Sequence, residues 1–177
     1  MHFSATGAAN FATTLGANLT IQELIFHAGA TPVSISGGGL YTLTLGNTVD
    51  ASGLTLMTGA PNVSISANLA LAQAQAWNIT DSTSTLTLTG ELSGVGPLNI
   101  NDNGTSTGTL IFSGADGKAV HSGGTNLVTG RLVLEGGAND RLPTGGTLRN
   151  GRHPLLRLRR AGGVGVGDVD VGRLGEC

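Results

Sequence analysis

The chain has 177 residues, of which 39% are hydrophobic, 11% are charged and 3% are aromatic, and its formal net charge is -2. This length fits one domain and this hydrophobic content is enough to fill a core, whereas a disordered tail combines low hydrophobicity with high net charge. The charged share lies far below the usual ~25%, which also separates the chain from ordinary enzymes. Ser, Thr and Asn must therefore keep the surface soluble. Because these residues suit strands and turns better than helices, the composition predicts an all-β protein.

Short runs in which apolar and polar residues alternate recur through the first 148 residues. They are 19–26, 41–45, 54–57, 63–66, 85–89, 98–100, 109–113 and 131–134. Alternation places Leu and Ile on one face and Thr on the other, which is typical of half-buried strands. The runs end in Gly, Asn or Asp clusters, among them 36–39, 46–47, 89–90 and 102–104. These clusters predict corners with positive φ.

Ala and Gln crowd residues 67–77 (ANLALAQAQAW), where the helix propensity of Ala makes a short helix the alternative. Residues nonetheless alternate from Asn68 through Ile79, and Ala can face a crowded coil interior where nothing larger fits. We therefore predict a strand here and keep the helix open.

Strand spacing alone fits a sandwich, a barrel or a solenoid, and internal repetition decides among them. The segment at 85–98 is echoed at 109–120 and at 131–142. Leu86 and Leu110 are 24 residues apart, Leu110 and Leu132 are 22 apart, and Leu43 and Leu86 are 43 apart, nearly twice the unit. A recurring unit of this length is typical of solenoid coils that stack their inward residues. Residues 1–148 are thus predicted to form a β-solenoid.

The composition changes at Arg149. Residues 1–148 contain eight acidic and three basic residues, whereas residues 149–177 contain three acidic residues, six arginines and no Thr. The charge therefore goes from -5 to +3, and Arg-Gly-Val replaces Leu-Thr alternation. We predict that 149–177 is a separate tail, either disordered or produced by a shifted reading frame.

Residues 108–115 (GTLIFSGA), followed by 122–134 (SGGTNLVTGRLVL), resemble the unit of the autotransporter-associated β-strand repeats of large bacterial surface proteins. The run 136–148 is similar to the piece that follows such a unit, and 3–10, 19–21, 65–71 and 75–77 are similar to the coils before it. The chain departs from the pattern at 118–121 and after Leu148. The resemblance implies a fragment of a right-handed parallel β-helix, exported and displayed at or released from the cell surface, without catalytic residues.

A β-helical polysaccharide lyase or hydrolase is the competing interpretation, and it requires clustered carboxylates beside a sugar-stacking groove. The aspartates instead lie in separate turns, where side-chain-to-backbone bonds account for them: Asp50, Asp81, Asp102, Asp116 and Asp140. Trp77 and Tyr41 are too few aromatics to line a sugar cleft. We therefore predict no catalytic residues and no enzyme activity.

Metal and cofactor sites find equally little support. Asp81 and Asp102 could stack on adjacent coils, but the Gly-rich nonapeptide repeat that would complete a Ca²⁺ site is absent from the sequence. The histidines have no paired spacing and are expected to be solvated: His2, His27, His121 and His153. The single cysteine, Cys177, allows no internal disulfide. No cofactor and no metal are predicted.

Polar motifs on the strands and turns also have simple interpretations. Glycosylation sequons begin at Asn18, Asn62, Asn78 and Asn103, and a chain rich in Asn, Ser and Thr produces such matches by chance. Thr recurs at alternate positions in three places, and such Thr ladders suggest a third possible function, binding to ice or crystal surfaces. The positions are 42 and 44, then 85, 87 and 89, and then 105, 107 and 109. Their register varies between coils, so outward Thr chosen for strand propensity is preferred. The basic run 157–160 lacks aromatic partners, and no nucleic acid is expected to bind.

The expected setting follows from the resemblance and from what the chain lacks. No apolar run reaches the ~18 residues of a membrane span, and residues 1–4 lack the basic start of a signal peptide. We expect an extracellular or outer-membrane-associated location, with the export signal and a membrane barrel or anchor elsewhere in a longer protein. Expected partners are a protein or glycan ligand and, through open solenoid ends, further copies of the chain.

Overall fold

The computed structural model describes residues 2–3, 11–29, 31–46, 52–113, 119–135, 142, 148–150, 155–158 and 168–169. All regular elements in these ranges are strands. All but the last of them pair in parallel, and they stack as a β-solenoid of about five turns, so the predicted all-β solenoid class is confirmed.

The strands form three sheets, which the chain visits in turn. Sheet A contains β1 (His2–Phe3), β4 (Leu24–Phe26), β7 (Ser52–Leu56), β10 (Gln75–Ile79), β13 (Leu98–Ile100), β15 (Thr125–Leu127) and β17 (Leu148–Asn150). Sheet B contains β2 (Ala12–Thr14), β5 (Val33–Ser36), β8 (Val63–Ile65), β11 (Thr85–Leu88), β14 (Thr109–Phe112), β16 (Arg131–Leu134), β18 (Leu155–Leu158) and β19 (Asp168–Val169). Sheet C contains β3 (Leu19–Ile21), β6 (Thr42–Leu45), β9 (Asn68–Leu71) and β12 (Leu92–Gly94).

The predicted repeat matches the strand pairing in sheet B. Leu86 lies opposite Leu110, and Leu110 lies opposite Leu132. Leu43, however, belongs to sheet C and lies between Leu19 and Leu69. The predicted equivalence of Leu43 and Leu86 was therefore wrong, because Leu-Thr alternation is the same in sheets B and C and does not tell them apart.

The core runs along the solenoid between the three sheets. Each coil contributes inward pairs, such as Leu54 and Leu56 from sheet A, and the residues above and below them in the sheet are apolar as well. Burial of one Leu or Ile side chain contributes about 1.5–3 kcal/mol. The stacked pairs therefore supply the main driving force for joining coil to coil.

Two predicted strand runs are each split by a corner. Residues 19–26 form β3 and β4, and residues 67–77 contribute to β9 and β10, with no helix between them. Ala70 and Ala76 face outward, while Leu71 and Trp77 fill the interior, so the expectation that Ala packs inward was wrong for these two residues. The sequence runs also missed β2, β5, β12 and β15, which are short and rich in Ser, Thr, Asn or Gly.

Positive φ occurs at three of the four predicted corner clusters, at Gly39, Gly46 and Gly104. Gly90 is the exception, since its φ is not positive. A Cβ at Gly90 would instead collide with the backbone of Ala67 on the preceding coil. The absence of a side chain, and not a need for positive φ, therefore explains why glycine occupies position 90.

Strand pairing continues past the composition break at Arg149. β17 pairs with β15, β18 pairs with β16, and β19 pairs antiparallel to β18. The origin of residues 149–177 in a shifted reading frame stays a prediction, and most of that segment lies outside the described residues.

Candidate binding groove

A row of hydroxyl groups crosses the outer face of sheet B. Ser34 on β5 lies opposite Ser64 on β8, which in turn lies opposite Thr87 on β11. Because strand residues alternate between faces, the inward neighbours of these three are buried Val, Ile and Leu. Adjacent strands are about 4.8 Å apart, so the three hydroxyls span roughly 10 Å along the solenoid axis.

A hollow of about 410 Å³ lies over these strands, and we call it the sheet B groove. Its lining residues are Pro32, Val33, Ser34, Asn62, Val63, Ser64, Thr85 and Thr87. Ser34 and Ser64 are exposed, whereas the side chains of Val33 and Val63 are buried on the inner face of the sheet.

The polar groups of the groove keep hydrogen-bonding capacity that a ligand could use. The Thr85 N–H donates to Asn62 Oδ1 at 3.0 Å, which fixes the amide and, among the described residues, leaves its Nδ2 group available. Within the described part of the chain, the hydroxyls of Ser34, Ser64 and Thr87 have no hydrogen-bond partner. None of the lining residues is Asp, Glu, Lys, Arg or His. The groove therefore offers uncharged hydrogen-bonding groups and no acid or base.

The two aspartates that the structure describes among the catalytic candidates do not line this groove. Asp81 occupies a corner after β10, where its Oδ2 accepts the Gly59 N–H at 2.6 Å. Asp102 is exposed in the corner after β13. Three others lie outside the described residues: Asp50, Asp116 and Asp140.

Neither large polar-tipped aromatic is placed to stack on a sugar in the groove. Trp77 is fully buried, and its Nε1–H donates to Gln75 Oε1 at 3.0 Å. The Gln75 amide in turn donates to the Leu45 carbonyl. Tyr41 is half-buried and packs against the core.

His121 corrects the expectation that the histidines are solvated, since only 1% of its surface is exposed. Its Nε2 lies 3.0 Å from the Gly124 carbonyl oxygen and 3.4 Å from Thr125 Oγ1, while its Nδ1 has no partner. Burial lowers the pKa of His121 below its ordinary value, and the hydrogen bond to Gly124 partly opposes this. No periodic pattern around residue 121 marked it as inward, so the sequence carried no signal of this burial. His27 is half-buried, and His153 and the His2 side chain lie outside the description.

The asparagines that begin sequons join neighbouring coils. Asn18 Oδ1 accepts the Thr42 N–H at 2.9 Å, and Asn78 Oδ1 accepts the Asn103 N–H at 3.4 Å. Asn62 does the same for Thr85, and Asn103 Oδ1 accepts two N–H groups within its own corner. Spacings of 23 to 25 residues between the paired positions were the available sequence signal.

Other possible sites are weaker. Within the described ranges, no group of three His, Cys, Asp or Glu side chains could hold a metal ion. A second hollow, of about 300 Å³, lies beside β2 and β3 and is lined by residues 13–19, Ile35 and Leu43. Its surface is mostly apolar and offers little chemistry. In the part of the chain that is described, no helix is long and apolar enough to cross a membrane.

Comparisons of the chain with protein-family models, with curated proteins and with solved structures give no match. The fold assignment therefore rests on the strand pairing described above. A function has to be argued from the faces that the solenoid presents.

Proposed function

We propose that the chain is a non-catalytic, structural and adhesive segment that is displayed on, or released from, a bacterial cell surface. The observation that carries this proposal is the stack of coils whose inward positions are mainly apolar and whose outward positions are mainly Ser, Thr and Asn. A stack of this kind lengthens without changing its cross-section and offers one long surface for contact.

Hydrogen bonds between coils support the rod-like part of the proposal. Asn68 Oδ1 accepts the Glu91 N–H at 3.1 Å, in addition to the asparagine bonds described above. The single hydroxyl proton of Thr129 is shared between the carbonyl oxygens of Asn101 and Ser106 on the preceding coil. Each such bond contributes about 1 kcal/mol net and fixes the register of neighbouring coils. A rigid rod holds an adhesive face away from the cell.

Surface chemistry supports the adhesive part. The outer face of sheet B between β5 and β11 carries uncharged hydroxyl and amide groups, and its groove contains no carboxylate pair that could act as acid and base. The face is therefore suited to holding a ligand and not to transforming one.

Surface display tests the proposal directly. The full chain is fused to a membrane-anchored carrier on bacterial cells, and cell retention under flow is measured on polysaccharide-coated and bare surfaces. Retention should exceed that of cells with the carrier alone, and Leu88→Asp, which puts a charge in the core, should abolish the gain.

Equal retention with and without the chain would contradict the adhesive role.

The purified chain is also incubated with neutral and acidic polysaccharides, and reducing ends and unsaturated products are assayed. Product formation by this chain would overturn the proposal in favour of a polysaccharide hydrolase or lyase.

A further inference from the structure

We propose that the sheet B groove binds one strand of an uncharged, extended polysaccharide, lying along the solenoid axis. This inference rests on the proposed adhesive function and names the class of its ligand. It is carried by the juxtaposition of Ser34, Ser64 and Thr87 on three consecutive coils, with the Asn62 amide beside them.

The hydroxyl row matches the repeat of such a ligand. Successive strands are about 4.8 Å apart, and a sugar ring in an extended polysaccharide advances by a similar distance, so the row is long enough for about two rings. Each ring then meets a protein hydroxyl that can donate and accept, and the Asn62 Nδ2 group adds a donor. These groups have no competing partner within the described residues.

The absence of charge among the lining residues selects the ligand class. An anionic polysaccharide or a nucleic acid would require Lys or Arg, and none lines the groove. A protein partner would favour a large apolar or aromatic anchor, but Val33 and Val63 point into the core. Neutral hydroxyl groups on the ligand are the best match for neutral hydroxyl groups on the protein.

The ends of the row argue against a flat mineral or ice surface. Ala12 lies opposite Ser34 at one end, and Ile111 lies opposite Thr87 at the other. The polar row is therefore three coils long and lies in a hollow. A short, concave row fits a flexible chain of sugars better than an extended plane.

Titration of the ¹⁵N-labelled full chain with cellotetraose tests the inference, and tetragalacturonate serves as the anionic probe. Amide shifts should appear at Ser34, Ser64 and Thr87, with millimolar or weaker affinity because no aromatic ring stacks on the sugar. Tetragalacturonate should produce no saturable shifts at these residues.

Two variants locate the site. Ser34→Ala combined with Ser64→Ala should weaken cellotetraose binding by about 25-fold, at roughly fivefold for each lost hydrogen bond. Ser64→Tyr should abolish binding by filling the hollow, and both variants alter exposed side chains that the core does not need. The matched control is Thr44→Ala on the outer face of sheet C, whose hydroxyl also lacks a partner within the described residues. It should bind like the parent.

The inference is overturned if cellotetraose produces no shifts, if the shifts lie elsewhere, if Ser64→Tyr binds normally, or if tetragalacturonate binds as well as cellotetraose. If the cells still adhere while any of these results is obtained, only the assignment of sugar binding to the sheet B groove is rejected. Sugar binding without cell adhesion would instead reject the proposed adhesive function.

Discussion

The inner faces of sheets A and B hold the same coils together in different ways. Inward residues of sheet B are apolar from β5 to β16, as at Leu86 and Leu88. Sheet A and the corners that join it to the neighbouring sheets bury polar groups as well, and among the described residues these are Gln75, Ser84, Asn101, Ser106, His121 and Thr125. Sheet B therefore depends on burial, whereas sheet A also depends on whether each buried polar group finds a partner.

The largest effect is expected at Asn101, which joins three coils. Its Oδ1 accepts the Ile79 N–H at 2.8 Å, and its Nδ2 donates to the carbonyls of Gly108 and Thr129, each at 3.1 Å. Asn101→Ala removes the partner of the Ile79 N–H and of the Thr129 carbonyl, whereas the Gly108 carbonyl keeps its bond from the Arg131 N–H. It also places Ala at a φ of 56°, so the free energy of unfolding should fall by about 4 kcal/mol. Urea unfolding followed by the fluorescence of Trp77 measures the loss.

Asn99→Ala is the matched control for this prediction. Asn99 lies two residues away on β13, faces outward, and accepts one bond from Asn126 at 3.3 Å. Its loss should cost less than about 1 kcal/mol. Equal losses for the two variants would mean that the buried asparagine does not join the coils.

A slightly smaller loss is expected on the sheet B side. Leu88 is fully buried between Ile65 and Phe112 on the strands above and below it. Leu88→Ala leaves a cavity and should lower the free energy of unfolding by about 3 kcal/mol. Thr87→Ala, on the outer face of the same strand, should change it by less than about 0.5 kcal/mol in urea unfolding. Similar losses at both positions would contradict the assignment of faces.

The third prediction concerns pH, because His121 is buried on the sheet A side with its pKa lowered by desolvation. The unfolded chain, with a histidine pKa of about 6.5, binds a proton more readily than the folded one, so stability rises with pH. The stability is fully present above about pH 6.5 and is lost as pH falls through the lowered folded pKa. Urea unfolding between about pH 5 and 8 should show this slope, at most about 1.4 kcal/mol per pH unit.

His121→Gln removes the titration and keeps a donor for the Gly124 carbonyl. The slope near pH 6 should be smaller in this variant than in the parent. An unchanged slope would assign the pH dependence to other groups. His27→Gln provides the comparison with a half-buried histidine.

The two faces also differ in how well the sequence predicted them. On sheet B, the spacing of Leu86, Leu110 and Leu132 correctly gave both the coil length and the pairing. On sheet A, the inward positions of Gln75 and His121 were not predicted, since polarity normally indicates an exposed residue. Hydrogen bonds make their burial tolerable: the Gln75 amide donates to the Leu45 carbonyl, which is distant along the chain, whereas His121 bonds to the nearby Gly124 and Thr125.

The groove was only partly predictable for a similar reason. Alternation indicated that Ser64 and Thr87 face outward, but Ser34 lies on β5, which the alternating runs missed. Coil lengths in sheet B also vary, with 30 residues between Ser34 and Ser64 and 23 between Ser64 and Thr87. Such variation hides from the sequence which hydroxyls share a row.

The smallest effect should have the opposite sign. Ser106 is fully buried in the corner before β14, and its hydroxyl has no hydrogen-bond partner in the described part of the chain. Ser106→Ala removes the cost of burying that hydroxyl and should raise the free energy of unfolding by about 1 kcal/mol in urea unfolding. Thr129→Val is the contrasting variant, because the hydroxyl proton of Thr129 is shared between the Asn101 and Ser106 carbonyls. It should lower stability by about 1–2 kcal/mol. If Ser106→Ala lowered the stability, this would contradict the idea that a buried polar group on the sheet A side is tolerated because it has a hydrogen-bond partner.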